Sequence, residues 1–219
     1  MKTMLTISAG PGRSARRSSG FTLIEVLVTV LIMSLGMLGI AALQATTSRF
    51  KIGAWARSST AVLFSDFADR VRANPDVAGL SYFSSGAAAS TSSYALTTNW
   101  STQSTTAPPA VSTDCNAAAC TATERAAYDL IIWRQQIRRQ LPQGSAFVTG
   151  NRSTGMTVTM MWFDKQFLTS GNVLDKSIAC NVVSGASSGT YTSAAMSNCC
   201  PDAAAVADGV RCVNFSFLP

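Results

Sequence analysis

One apolar segment near the amino terminus limits what this chain can become. Val26 to Leu43 are 18 consecutive residues without a charge, and Phe21 to Ile24 lengthen the stretch to 23 positions broken only by Glu25. At a rise of about 1.5 Å per residue, a helix of this length crosses the hydrocarbon layer of a bilayer. The chain is poor in charge, with 13% charged against 47% apolar residues, and the imbalance is concentrated in this segment. A secretory signal peptide ends a shorter apolar core at a small-residue site. This core is too long for that, although Ala41, Ala42 and Ala45 follow it. An ordinary single-pass anchor fits the length but leaves an acid four residues into the run unexplained.

The formal charge of +6 is localised. Lys2, Arg13, Arg16 and Arg17 lie among the first 20 residues with no acid, which leaves 13 basic and 11 acidic residues for the remainder. A basic patch for nucleic acid therefore has little support outside the amino terminus. The same flank directs the orientation: the basic side stays in the cytoplasm and the C-terminal part is exported.

Glu25 is the most informative residue. A carboxylate facing lipid is unfavourable and asks for a partner. Gly20-Phe21-Thr22-Leu23-Ile24-Glu25 resembles the prepilin processing motif of type IV pilins. The resemblance implies that a prepilin peptidase cuts between Gly20 and Phe21 on the cytoplasmic side, leaving the apolar helix attached. It also implies N-methylation at Phe21, with the new amine placed near Glu25 of an adjacent subunit in an assembled filament. One departure is visible: Ser18 and Ser19 separate Arg17 from Gly20, where the family has a basic residue next to the glycine.

All six cysteines, Cys115, Cys120, Cys180, Cys199, Cys200 and Cys212, follow the apolar segment. Their even number and their confinement to the exported part predict three disulfides. Cys115 and Cys120 are placed to pair locally. The adjacent Cys199 and Cys200 go one each to Cys180 and Cys212, in either of two connectivities. A zinc site is disfavoured, because the chain has no histidine and no paired C-x-x-C spacing.

Helical character continues beyond the membrane segment, with Phe50, Ala54, Ala61, Phe64, Ala68 and Val71 on one stripe, and should stop at Asn74-Pro75. Counted from Phe21 the helix would hold 54 residues and reach roughly 80 Å if straight. Gly36, Gly39 and Gly53 are where it would bend or pack closely. Asp76 to about Ala119 reads as a long Ser/Thr/Ala-rich loop, with short strands near Tyr82 and over Tyr94 to Leu96. Thr121 and Glu124 have capping-box spacing, and Leu130, Trp133, Ile137 and Leu141 form an apolar face, giving a helix over 122–141. Arg125, Arg134, Arg138 and Arg139 are read as its solvated side rather than as a contact for DNA or acidic polymers. Phe147 to Thr149, Met156 to Phe163 and Val210 to Leu218 read as strands, with Met156, Val158, Met160 and Trp162 on one packed face.

Gly185-Ala186-Ser187-Ser188-Gly189 matches a serine-nucleophile pattern, but no histidine exists to activate the serine. Asp164, Asp175, Asp202 and Asp208 fit no calcium loop and read as scattered surface acids. No catalytic residue, metal or cofactor is expected.

The order of leader, long helix, loop, antiparallel sheet and cysteine-closed end resembles type IV pilins. Within them the chain is similar to minor pilins of the PilV family of pilus modification proteins. Ser34 to Gln44, Ala68 to Pro75, and Ala126 to Leu130 leading to Trp133 carry that similarity. The implied class is α+β: residues 1–20 a leader, 21–43 a transmembrane helix, 44–74 its periplasmic continuation and 75–219 a globular head. The implied role is a structural subunit, not an enzyme, that resides in the inner membrane with its C-terminus in the periplasm and then in a surface pilus. Its partners would be other pilins and minor pilins, and it would serve assembly and hence motility, adhesion or DNA uptake. The competing readings are a pseudopilin of a type II secretion system and a tip adhesin or DNA-binding subunit.

Overall fold

A computed structural model describes residues 20–78, 92–180 and 193–219, except the side chain of Arg49. The chain divides into two units, Met1–Thr47 and Ser48–Pro219. One continuous helix, α1 (Leu23–Ala73), belongs to both. Its order of followers is a 3-10 turn at Pro75–Val77, α2 (Trp100–Thr105), α3 (Ala122–Gln140), β1 (Ser145–Asn151), β2 (Gly155–Phe163), α4 (Ser193–Asn198), a 3-10 turn at Asp202–Ala204 and β3 (Val210–Phe217).

In the first unit the apolar side chains of α1 are exposed all round: Leu23, Leu27, Leu31, Leu35 and Leu38 are among them. This is the pattern of a helix solvated by lipid or by other helices, and α1 is long and apolar enough to cross a membrane. The hydroxyls inside the run turn back onto their own helix, Thr29 to the Val26 carbonyl at 2.9 Å and Ser34 to that of Leu31 at 2.8 Å. Neither then presents an unmet donor to lipid. The helix runs unbroken through Gly36, Gly39 and Gly53, and a methyl group added at any of the three would meet no atom within 4 Å.

In the second unit the end of α1 is an internal element. Leu63, Phe67, Ala68 and Val71 are buried at helical spacing against Trp133 and Ile137 of α3 and against one face of the sheet. α1 ends at Ala73, where Asn74 leaves helical geometry and Pro75 begins a new turn. α3 starts with the expected capping box: the Glu124 amide donates to the Thr121 hydroxyl while the Glu124 carboxylate accepts from the Thr121 amide. These bonds to the Thr121 backbone and hydroxyl hold the Glu124 carboxyl below its usual range.

The sheet is antiparallel in the order β1-β2-β3. Because side chains alternate, Met156, Val158, Met160 and Trp162 of β2 all join the core with α1 and α3. The opposite face is covered too. Phe147, Met161, Val210 and Cys212 form a second core with Trp100, Cys200 and Ala204, contributed by the middle loop and the cysteine-rich end. The β1–β2 turn is held by Asn151, whose side-chain oxygen accepts from the amides and hydroxyls of both Ser153 and Thr154.

The middle loop is less irregular than expected. Asn99 caps the short helix α2 by accepting from the Thr102 amide at 3.0 Å. Leu96 pairs with Val148 as an isolated bridge beside β1, where a short strand over Tyr94 to Leu96 is expected. The expected strand near Tyr82, the leader residues before Gly20 and the Gly185–Gly189 pattern lie outside the described residues.

Candidate functional site

The candidate site is the start of α1. Helical geometry begins at Leu23, two residues after Phe21. Thr22 acts as its cap: its carbonyl accepts from the Glu25 amide at 3.1 Å and the Val26 amide at 3.3 Å, and its hydroxyl accepts from the Glu25 amide at 3.4 Å. Thr22 and Glu25 therefore have the T-x-x-E spacing of a capping box. Sequence reasoning singled out Glu25 and passed over Thr22, though the same spacing at Thr121 and Glu124 was legible.

This local geometry explains how several requirements fall on six positions. Gly20 and Phe21 precede the helix and lie outside regular secondary structure. The first helical turn leaves amides unpaired and carries the positive end of the helix dipole. Glu25 is the one acid in that turn and supplies the charge of opposite sign. It makes no ion pair among the described residues, and the side chain is exposed. Phe21 itself is 81% exposed.

In the second unit, five polar residues fasten the end of α1. Asp129 of α3 is buried and accepts from the Arg70 guanidinium at 3.0 Å and from the Tyr94 hydroxyl at 3.1 Å. Arg70 also pairs with Asp66 at 3.0 Å. Asn74 donates to the Tyr94 oxygen at 3.1 Å and to the Ala122 carbonyl at 2.8 Å. Burial lowers the basicity of Arg70, but Asp66 and Asp129 together outweigh it and the net shift is upward. Burial pushes the Tyr94 phenol up, the Asn74 hydrogen bond opposes this, and the Asp129 charge adds to it, bringing it to about 12. A further tie is the Trp133 indole, which donates to the Leu63 carbonyl of α1 at 2.8 Å while its ring stacks on Phe67 at 4.2 Å.

The cysteines pair as Cys115–Cys120, Cys180–Cys199 and Cys200–Cys212, so the structure adopts one of the two connectivities that the sequence leaves open. Asn214 sits inside the pair of bridges, donating to the Cys199 carbonyl at 2.9 Å and accepting from Thr159 at 2.6 Å. Of the four aspartates considered for calcium, Asp164 pairs with Arg211 at 2.7 Å and Asp175 accepts from the Lys176 amide. Among the described residues no three potential metal ligands cluster.

The solvated reading of the α3 arginines holds for the exposed Arg139 and needs correction for Arg138 and Arg125. Arg138 is partly buried and donates to the carbonyls of Gln103, Ser104 and Thr106, closing the C-terminal end of α2. Arg125 donates to the Cys115 carbonyl at 3.3 Å. These side chains are held by the fold and do not form an open basic stripe.

Residues 15–41 match the family model of the prokaryotic N-terminal methylation motif, a span that includes Gly20, Phe21, Glu25 and most of the apolar run. No curated protein matches the chain, and no solved structure does. The motif marks subunits of type IV pili and related pseudopili, and the fold behind it combines a long apolar helix, a small antiparallel sheet and a disulfide-closed end. The chain accordingly carries the amino-terminal signal of type IV pilins and pseudopilins, on an α+β fold that fits a pilin-like subunit.

Proposed function

We propose that this chain is a minor pilin of a type IV pilus, of the PilV kind, which helps to start or tip the filament and thereby promotes its assembly. The observation that carries the reading is the start of α1: a Gly20-Phe21 junction ahead of the helix, a Thr22 cap and an exposed Glu25, all inside the methylation-motif match. Cleavage after Gly20 by the prepilin peptidase creates an amine at Phe21, which methylation leaves charged. In lipid Glu25 is unfavourable without a counter-charge. Assembly supplies one, in the Phe21 amine of a neighbouring subunit. The protein would wait in the inner membrane with its head in the periplasm and end in the surface filament. PilV-like residues Ala68 to Pro75 and Ala126 to Trp133 supply the polar clamp and the stacked tryptophan that hold α1 to the head.

Mass spectrometry of membrane-extracted protein should find a chain beginning at a methylated Phe21. An intact leader, or a start beyond Leu43, would refute the processing step. Glu25→Leu should still insert in the membrane but be depleted from sheared filaments at least tenfold, and normal incorporation would count against the amine pairing. Deletion separates the pilus from a secretion pseudopilus: loss of surface pili with normal enzyme secretion supports the pilus, and the opposite outcome supports the pseudopilus.

A further inference from the structure

A cleft in the head, remote in sequence from the methylation motif, is built for a negative charge that the described residues do not supply. Its lining is Gln103 of α2, Pro108, Arg134 and Arg138 of α3, and Gly144 and Ser145 at the start of β1. No carboxylate is among them. Arg138 spends its donors on the carbonyls of Gln103, Ser104 and Thr106, which orient it without neutralising it. Arg134, one turn earlier on the same helix, is partly buried and makes no ion pair or hydrogen bond among the described residues. Its basicity is lowered by burial and by repulsion from Arg138. Across the cleft Ser145 is 3% exposed, and its hydroxyl has no partner.

Each of these three facts is unfavourable by itself. A guanidinium partly withdrawn from water without an acceptor loses some solvation, a neighbouring like charge adds to the cost, and a buried hydroxyl normally finds a hydrogen bond. One anionic atom between Arg134 and Ser145 would answer all three. It would neutralise the arginine pair and accept from both the guanidinium and the hydroxyl. A water would satisfy the hydroxyl but leave the two charges opposed.

Size narrows the ligand. The cleft offers about 10 Å³, near the roughly 10–15 Å³ needed for a single water-sized particle. A phosphate, a sugar or a nucleotide is too large. We propose that the cleft between α3 and β1 is a binding site for one halide ion, held by Arg134 and Ser145. The site joins α2, α3 and the edge strand β1, so occupancy fastens the middle loop to the sheet.

The test uses the full-length protein in detergent micelles at fixed ionic strength. Its melting is compared in sodium chloride, sodium acetate and sodium methanesulfonate, the two oxyanions being too bulky for the cleft. Chloride at tenfold its dissociation constant should raise the wild-type midpoint by roughly 3 °C over methanesulfonate. The rise should vanish in Arg134→Gln and shrink in Ser145→Ala. In methanesulfonate Arg134→Gln should melt no lower than wild type, because the arginine it removes is repelled and unpaired. Chlorine-35 line broadening by the wild type, abolished in Arg134→Gln, reads the ion directly and does not depend on melting. A gain from chloride alone identifies a halide as the ligand. An equal gain from acetate would show that the site does not select a single small ion, and would overturn the proposal. Equal melting of wild type in all three salts without line broadening would mean that the cleft holds only water, and would overturn the proposal.

Discussion

Asp129→Asn is the sharpest test of how the head holds the end of α1. The change keeps the side-chain shape and removes the charge. In the wild type the carboxylate is buried and receives the Arg70 guanidinium at 3.0 Å and the Tyr94 hydroxyl at 3.1 Å. Removing one partner of a fully buried pair costs about 3–5 kcal/mol. The expected loss here is smaller, because Arg70 is still 23% exposed and keeps Asp66, itself 37% exposed. Arg70 loses this anionic acceptor, and because an asparagine has a single accepting oxygen one of the two hydrogen bonds is lost outright, so a loss of about 2–3 kcal/mol follows. For a chain of this size that lowers the melting midpoint by roughly 5–10 °C. Circular dichroism of the detergent-solubilised protein measures it. Asp69→Asn is the control, since the Arg72–Asp69 pair on the same helix is 52% and 73% exposed and should be worth under about 0.5 kcal/mol. A double-mutant cycle of Asp129→Asn with Tyr94→Phe should show coupling of about 1 kcal/mol. Equal effects of the Asp129 and Asp69 changes, or strict additivity in the cycle, would refute the idea of a buried clamp.

Alkaline stability follows from the same network. The Tyr94 phenol is raised to about 12 from 10.0, so its contribution is fully present below pH 10 and is lost as pH rises toward 12; the loss is on the order of 2 kcal/mol and should be absent in Tyr94→Phe. Opening the Cys200–Cys212 or Cys180–Cys199 bridge, with separations of 12 and 19 residues, should each cost about 3 kcal/mol by loop closure, against about 2 for Cys115–Cys120. Paired cysteine-to-serine variants in a denaturant titration measure the difference, and a larger loss at Cys115–Cys120 would contradict it. Gly150→Ala should cost roughly 3 kcal/mol or more, because Gly150 has φ +94° and a Cβ there would lie 2.1 Å from the Gly155 carbonyl oxygen; an unchanged midpoint would show that the β1–β2 turn is not held as described.

Local rules made much of the fold legible. Pro75 ended α1 at Ala73, the Thr121/Glu124 box began α3 at Ala122, and alternation on β2 put Met156, Val158, Met160 and Trp162 on one buried face. These signals act within a few residues. What escaped was set by contacts distant in sequence. Arg70 meets Asp129 across 59 positions and Tyr94 meets it across 35, so nothing in the local pattern marks them as partners. The second core escaped for a related reason. It needs Phe147 and Met161 on the outward face of the sheet to be covered by Trp100 and Cys200, and a serine-rich loop gives no periodic sign that it will do so. α2 spans only six residues, too few to show a helical period, and Asn99 was its one available signal. At the start of α1, Thr22 was legible from the T-x-x-E spacing. The acid drew attention by its cost in lipid and the threonine did not.

The two units differ in what they leave unsatisfied. In the head the sheet is covered on both faces, and the buried carboxylate Asp129 has both Arg70 and Tyr94. Along the first part of α1 the hydroxyls of Thr29 and Ser34 are met by the helix itself, while the apolar side chains from Leu23 to Leu43 face outward. Lipid tails and the helices of other subunits solvate those apolar side chains almost equally well, so apolar burial by itself does little to draw the helix out of a bilayer. Glu25 breaks that balance. It is the residue of the run whose surroundings in lipid are worst and whose surroundings beside a charged amine are best. On the proposed function, the preference of this helix for the filament over the membrane therefore rests mainly on one carboxylate. The long apolar surface makes either environment tolerable.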